Sequence, residues 1–225
     1  MRMFRPAVPA AFLSALAIAG CGDPSEWAAP EVVVTGMSVS PRFLSLGYVG
    51  ETARVRAQFR HQLLGGGYDP ANPPDIPRPE VTWSSSDTLV FTVDGTGLVT
   101  AVANGSAELF AFADRFSDTA FVMVEQIPRI LEVVSGSDQQ GRAGSTLESP
   151  VVVRVTDWGG AAVPGVSVSF APEEGAGSVD PETAATDAGG LASTEWTLGD
   201  GVGEQSIRVE FDRGPAIWVT AGAGS

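Results

Sequence analysis

Thr82-Trp83-Ser84-Ser85-Ser86-Asp87 and, a few residues on, Thr92-Val93-Asp94-Gly95-Thr96-Gly97-Leu98-Val99-Thr100-Ala101 are the stretch on which the fold turns. β-branched and aromatic residues alternate with polar ones, then an aspartate and two glycines interrupt, and the alternation resumes; this is the pattern of strand, turn and strand. Ser106-Ala107-Glu108-Leu109 continues it after Asn104-Gly105. Asn104-Gly105 is expected to close a hairpin, because both residues tolerate positive φ.

The same alternation runs outward in both directions. In Arg54-Val55-Arg56-Ala57-Gln58-Phe59 the apolar positions fall at every second residue, so Val55, Ala57 and Phe59 face a core while the arginines and glutamine face water. From Val32 to Glu125 no helical period persists beyond a turn or two, and the reading is all-β. Ile127-Pro128 marks a joint. Beyond it Val151-Val152-Val153-Arg154-Val155-Thr156-Asp157, Gly159-Gly160 and Val163-Pro164-Gly165-Val166-Ser167-Val168-Ser169-Phe170 give two more strands about a turn. Val166, Val168 and Phe170 alternate inward. Thr186-Asp187-Ala188-Gly189-Gly190 is an aspartate-glycine turn that feeds a strand carrying Trp196.

With these motifs in view, residues 32–126 resemble a bacterial Ig-like domain of group 2, through the tryptophan-serine-serine-aspartate strand, the aspartate-glycine turn and the Gly97-Leu98-Val99-Thr100-Ala101 strand. Met37-Ser38-Val39-Ser40-Pro41 and Leu46-Gly47-Tyr48-Val49-Gly50-Glu51-Thr52 fit the same resemblance. Residues 127–225 resemble the group 1 domain stacked in invasin and intimin, on Asp138-Gln139-Gln140-Gly141, Ala143-Gly144 and the Asp187 turn. The resemblance implies two tandem Ig-like β-sandwiches, each near the size of a seven-stranded one. A fully buried tryptophan removes on the order of 200 Å² from water, roughly 5 kcal/mol at about 25 cal/mol/Å². Trp83 and Trp196 are therefore expected to be core residues whose loss unfolds their sandwich.

One segment departs from the group 2 pattern. Residues 62–79 carry Gly65-Gly66-Gly67 and prolines at 70, 73, 74, 77 and 79, longer than the family usually has there. Proline at this density stiffens a chain into extended conformations, and a long loop without secondary structure is either functional or irregular. Two readings stand: a tolerated surface insertion, or a recognition loop with Tyr68, Asp69, Asn72 and Ile76 as its contacts.

The N-terminus reads as an export signal. Arg2 and Arg5 precede a mostly apolar run from Ala7 to Ala19, which closes on Ile18-Ala19-Gly20-Cys21. Thirteen residues are too few to cross roughly 30 Å of hydrocarbon, which takes about twenty. Ile18 to Cys21 resemble the bacterial lipobox, and that resemblance implies cleavage after residue 20 and a lipid on the Cys21 sulfur. Residues 21–31 then form the lipidated cysteine and a tether. More than one acyl chain makes such an attachment stable, at about 0.8 kcal/mol per buried methylene. The expected localisation is the cell envelope, lipid-anchored and at the outer membrane, facing either the periplasm or the exterior.

Composition narrows the chemistry. Removal of residues 1–20 leaves eleven arginines against 27 acidic residues, a balance of −16, with no lysine anywhere in the sequence. Phosphate backbones are recognised by cations that displace counterions, so a nucleic-acid partner is not expected. Without lysine there is no Schiff base and no phosphate-loop lysine. His61 is the one histidine and Cys21 the one cysteine, too few for a zinc site. No Gly-x-Ser-x-Gly elbow is present to orient a nucleophile. The acidic residues Asp94, Glu173, Glu174 and Asp180 lack the loop spacing of a calcium site and read as solvated. Gly199-Asp200-Gly201-Val202-Gly203 is expected to be a hairpin turn, since no helix follows to bind an anion. No enzyme, cofactor or small-molecule substrate is expected. The expectation is an Ig-like spacer or adhesive module, held to the membrane through Cys21, with a protein or polysaccharide as possible partner. The alternative is a periplasm-facing accessory lipoprotein that binds an envelope protein or glycan through residues 62–79.

Overall fold

Alternating apolar and polar residues build strands throughout the described residues, 30–65 and 73–225 of this computed structural model, and no helix occurs among them. Residues 34–61 with 78–225 form one compact unit. This unit holds two hydrophobic cores.

Nine strands surround the first core: β1 (Glu31–Ser40), β2 (Phe43–Leu46), β3 (Thr52–Arg54), β4 (Arg56–Leu64), β5 (Thr82–Ser85), β6 (Phe91–Val93), β7 (Leu98–Ala101), β8 (Gly105–Ala113) and β9 (Phe116–Val124). One sheet runs β2-β9-β8-β5, and opposite it β3-β7-β6 and the pair β1-β4 complete the sandwich. β3 and β4 are separated only by Val55, which is fully buried and donates its N–H to the Gly97 carbonyl at 2.8 Å. Leu109 and Val122 from one sheet meet Phe91 and Val99 from the other in the core. Asp118 pins the crossing from β1 to β2, accepting from the Val39 N–H at 2.8 Å and from Arg42 at 2.9 Å.

The second sandwich repeats the plan with β10 (Ile130–Ser135), β11 (Gln139–Arg142), β12 (Val151–Thr156), β13 (Ser167–Pro172), β14 (Ser178–Asp180), β15 (Thr183–Ala185), β16 (Leu191–Thr197), β17 (Gly203–Phe211) and β18 (Ala216–Gly224). Its sheets are β10-β12-β16-β14 and β11-β18-β17-β13-β15. In both sandwiches a short strand near the start pairs parallel with the last one, β2 with β9 and β11 with β18. Val168 and Phe170 point inward as their alternation requires, with Val166 partly buried against the same core. Trp196 is 0 % exposed, and its indole N–H donates to the Ala176 carbonyl at 2.8 Å.

Three expectations are corrected. Asn104-Gly105 is not a hairpin turn: β7 and β8 lie in different sheets, so the segment crosses the sandwich. The hairpin that follows β8 turns at Asp114, whose φ is 52°. Gly199 to Gly203 likewise crosses from the sheet of β16 to that of β17, with the Gln205 side chain bonded to Gly199 and Gly201 as its strut. A two-residue reversal joins neighbours in one sheet, whereas these turns carry the chain between layers about 10 Å apart. Finally, Trp83 is only half-buried, because β5 is an edge strand with β8 as its one partner in the sheet.

Candidate functional site

Cys21, Tyr68, Asp69 and Asn72 lie outside the described residues, as do residues 1–20. Ile76 is described and is 58 % exposed, between Asp75 and Pro77 in a segment without regular structure. His61 is exposed near the end of β4, two residues beyond Phe59. Among the described residues no group of three His, Cys, Asp or Glu is placed to hold a metal ion. Asp94 is engaged locally, where its carboxylate accepts from the Thr96 hydroxyl and from the N–H groups of Thr96 and Leu98. The Thr96 hydroxyl above all, then the two amides, hold the Asp94 carboxyl below its usual value.

Two turns of the second sandwich share the pattern aspartate, one residue, two glycines: Asp157-Trp158-Gly159-Gly160 and Asp187-Ala188-Gly189-Gly190. In each, the aspartate Oδ1 caps the amide four residues on, Ala161 at 2.9 Å and Leu191 at 2.9 Å, and the second glycine adopts positive φ. Such side-chain capping is why aspartate and glycine dominate turns. Only Asp157 has its other oxygen spent across the joint. Its Oδ2 accepts from the Val49 N–H at 3.0 Å and from Gln126 Nε2 at 2.8 Å, both on the side of the first sandwich, and Asp157 is 0 % exposed. Gly159 is required beside it, since a Cβ there would sit 2.7 Å from the Val49 carbonyl oxygen.

The connection between β9 and β10 is bonded along its length. Glu125 and Ile127 donate their N–H groups to Leu46 and Gly47, Gln126 N–H donates to Asn104 Oδ1 at 2.7 Å, and Arg129 N–H donates to Thr156. A segment whose amides are each committed has little freedom to bend. The Asp157 side chain packs beside this connection and accepts from Val49 and Gln126.

Two surfaces of the first sandwich stand out. On the outer face of β2, β9 and β8 the rings of Phe43 and Phe121 stack with centroids 5.9 Å apart, and Phe112 is exposed further along β8. Beside β5 a groove of about 380 Å³ is lined by Arg54, Arg56, Glu80, Trp83 and Thr96, among others. Sequence reasoning placed the joint at Ile127-Pro128 but missed the groove and the Asp157 contacts across the joint. The repeated aspartate-x-glycine-glycine pattern was the available signal for the joint; nothing in the linear pattern placed Arg56 beside Trp83.

Residues 64–124 match the family described as bacterial Ig-like domain (group 2). No curated protein matches the chain. Among solved structures, the chain is similar to domains 4 and 5 of the S-layer protein SbsC, at 15 % identity and TM-score 0.39 over 65 % of this chain and 77 % of that one. It is also similar to the adhesin InvE of Yersinia pseudotuberculosis, at 17 % identity and TM-score 0.38 over 91 % of this chain and 62 % of that one. A third is the Escherichia coli adhesin FdeC, at 18 % identity and TM-score 0.39 over 88 % of this chain and 66 % of that one.

Proposed function

We propose that the chain is a non-enzymatic, lipid-anchored module of the bacterial cell envelope, in which a group 2 Ig-like domain (32–126) and a group 1, invasin-type domain (127–225) serve as a stiff spacer or adhesive element. The signal peptide occupies residues 1–20, and Cys21 with residues 22–31 forms the anchor and tether. The observation that carries this reading is the joint. The buried Asp157 carboxylate accepts across it from Val49 and Gln126, and the connecting amides are bonded to one side or the other. A spacer transmits position only if its modules do not swivel, and a hinge meant to move does not bury its hydrogen bonds.

Metabolic labelling with palmitate tests the anchor, with incorporation expected in the native chain and lost in Cys21→Ser. Protease added to intact cells tests display. Cleavage without permeabilisation supports a surface spacer or adhesin, and label absent from the native chain would overturn the anchored reading.

A second reading is a periplasm-facing accessory lipoprotein that engages an envelope protein or glycan through residues 62–79. It is favoured by Ile76, a large apolar side chain held out in solvent among prolines. Protection from protease until the outer membrane is opened, together with loss of partner capture on deleting residues 62–79, supports this reading over the first.

A further inference from the structure

We propose that the groove beside Trp83 is a saccharide site, built for a carboxylate-bearing pyranose within an acidic polysaccharide. This deepens the adhesive reading above and rests on it. Trp83 is the anchor. The Cε2 and Cζ2 edge of its indole lies against Gly97, close enough that a Cβ there would stand 3.2 Å from each, and the half-exposed remainder lines the groove. Gly97 has φ 76° and its would-be Cβ is also crowded by the Val55 carbonyl oxygen at 2.5 Å, so the backbone against this edge of the indole accepts glycine only. A pyranose offers one face of C–H bonds that lies flat on such a ring, while its hydroxyls point to the rim.

The rim carries the complementary groups. Arg54 is held by donation to the Thr96 carbonyl at 3.0 Å, which fixes one guanidinium at the edge of the groove. Arg56 lines the same groove and is exposed; its guanidinium makes no hydrogen bond or ion pair with the described residues, and the Trp83 indole N–H likewise has no acceptor among them. The other core tryptophan differs, since the Trp196 N–H is bonded to Ala176. Arg54 and Arg56 line the groove with Glu80, and the Asp94 carboxylate acts on Arg54 from beside it, which leaves Arg56 as the guanidinium without a carboxylate partner among the described residues, within a chain whose net charge is −14. Guanidinium forks match carboxylates in a bidentate geometry that lysine does not provide. The acidic surroundings are screened beyond about 8–10 Å at physiological salt, so they do not prevent close recognition of an anion. An aromatic base with a few convergent polar groups is the usual makeup of a ligand pocket.

The test uses the purified full chain in detergent, with oligomers of polygalacturonate as the probe and their methyl ester as the uncharged comparison. Binding is read by tryptophan fluorescence and calorimetry. Polygalacturonate is expected to bind in the micromolar to millimolar range and the ester at least about tenfold more weakly. Arg56→Gln, at an exposed position that should leave the melting temperature unchanged, is expected to weaken polygalacturonate to the level of the ester. Trp83→Phe is expected to weaken both probes. Equal binding of acid and ester, an Arg56→Gln protein that binds as the native one does, or no binding up to about 10 mM would overturn the site. Since location on the cell does not enter this measurement, failure of the saccharide site and failure of the palmitate and protease tests are read separately.

Discussion

Asp157→Ala should uncouple the two sandwiches. The substitution removes both carboxylate oxygens, leaving the Val49 N–H, the Gln126 amide and the Ala161 N–H without the acceptor each now has. Stranding a buried donor costs about 1–3 kcal/mol. Two of the three bonds cross the joint, so the coupling lost there is at most roughly 2–6 kcal/mol, the Gln126 amide keeping its second acceptor, the Ala162 carbonyl, at 3.3 Å. The third caps the turn, and its loss destabilises the second sandwich by about 1 kcal/mol. For a domain of about one hundred residues each kcal/mol moves Tm by about 4–8 °C. Calorimetry on the full chain should show the native protein melting in one coupled transition and the variant in two, the first lower by about 10 °C or more. Asp157→Asn should fall between, because its oxygen can serve either the two donors across the joint or the Ala161 turn amide while its NH2 faces the other. Small-angle scattering should report a broader distribution of distances for Asp157→Ala. A variant that melts within about 2 °C of the native chain, with unchanged scattering, would show that the carboxylate is not what holds the joint.

Other substitutions separate packing from backbone effects. Trp196→Ala should cost about 3–5 kcal/mol and leave a thermal melt in which only the first sandwich unfolds cooperatively, since the ring is fully buried and its N–H is bonded; Trp83→Ala, on a half-buried ring, should cost about half as much. Gly177→Ala should prevent the second sandwich from folding, because its Cβ would fall on the Thr197 carbonyl oxygen, whereas Gly165→Ala, at similar φ but in open space, should cost only about 1 kcal/mol; circular dichroism of both variants checks this. The Asp94 carboxyl titrates below its unfolded value near 3.8, so the stability it supplies is complete above that pH and lost as pH falls through the lower folded value. Asp94→Asn should therefore flatten the acid limb of Tm against pH for the first sandwich and leave its shape at neutral pH unchanged.

Strand identity was legible because burial on one face imposes a period of two, and Val55, Ala57 and Phe59 or Val168 and Phe170 show it without any neighbour's help. The Asp94 and Asp187 turns were legible for a similar reason: their hydrogen bonds close within four residues. Asn104-Gly105 misled for the opposite reason. Local chemistry says that the chain can turn there, but not whether it turns within a sheet or between two. Trp83 misled because its burial depends on how many neighbours β5 acquires, a property of strand order.

Short-range order in this chain was written in the sequence: the alternation, the glycine-bearing turns and the all-β class each rest on interactions spanning a few residues. Tertiary structure alone decided which turns cross the sandwich, that Asp157 meets Val49 from 108 residues away, and that Arg56 stands beside Trp83. A carboxylate looks the same in sequence whether it caps its own turn or also clamps a distant amide. The difference is set by which backbone groups the packed sheets bring within 3 Å of it, and that distance has no local signature.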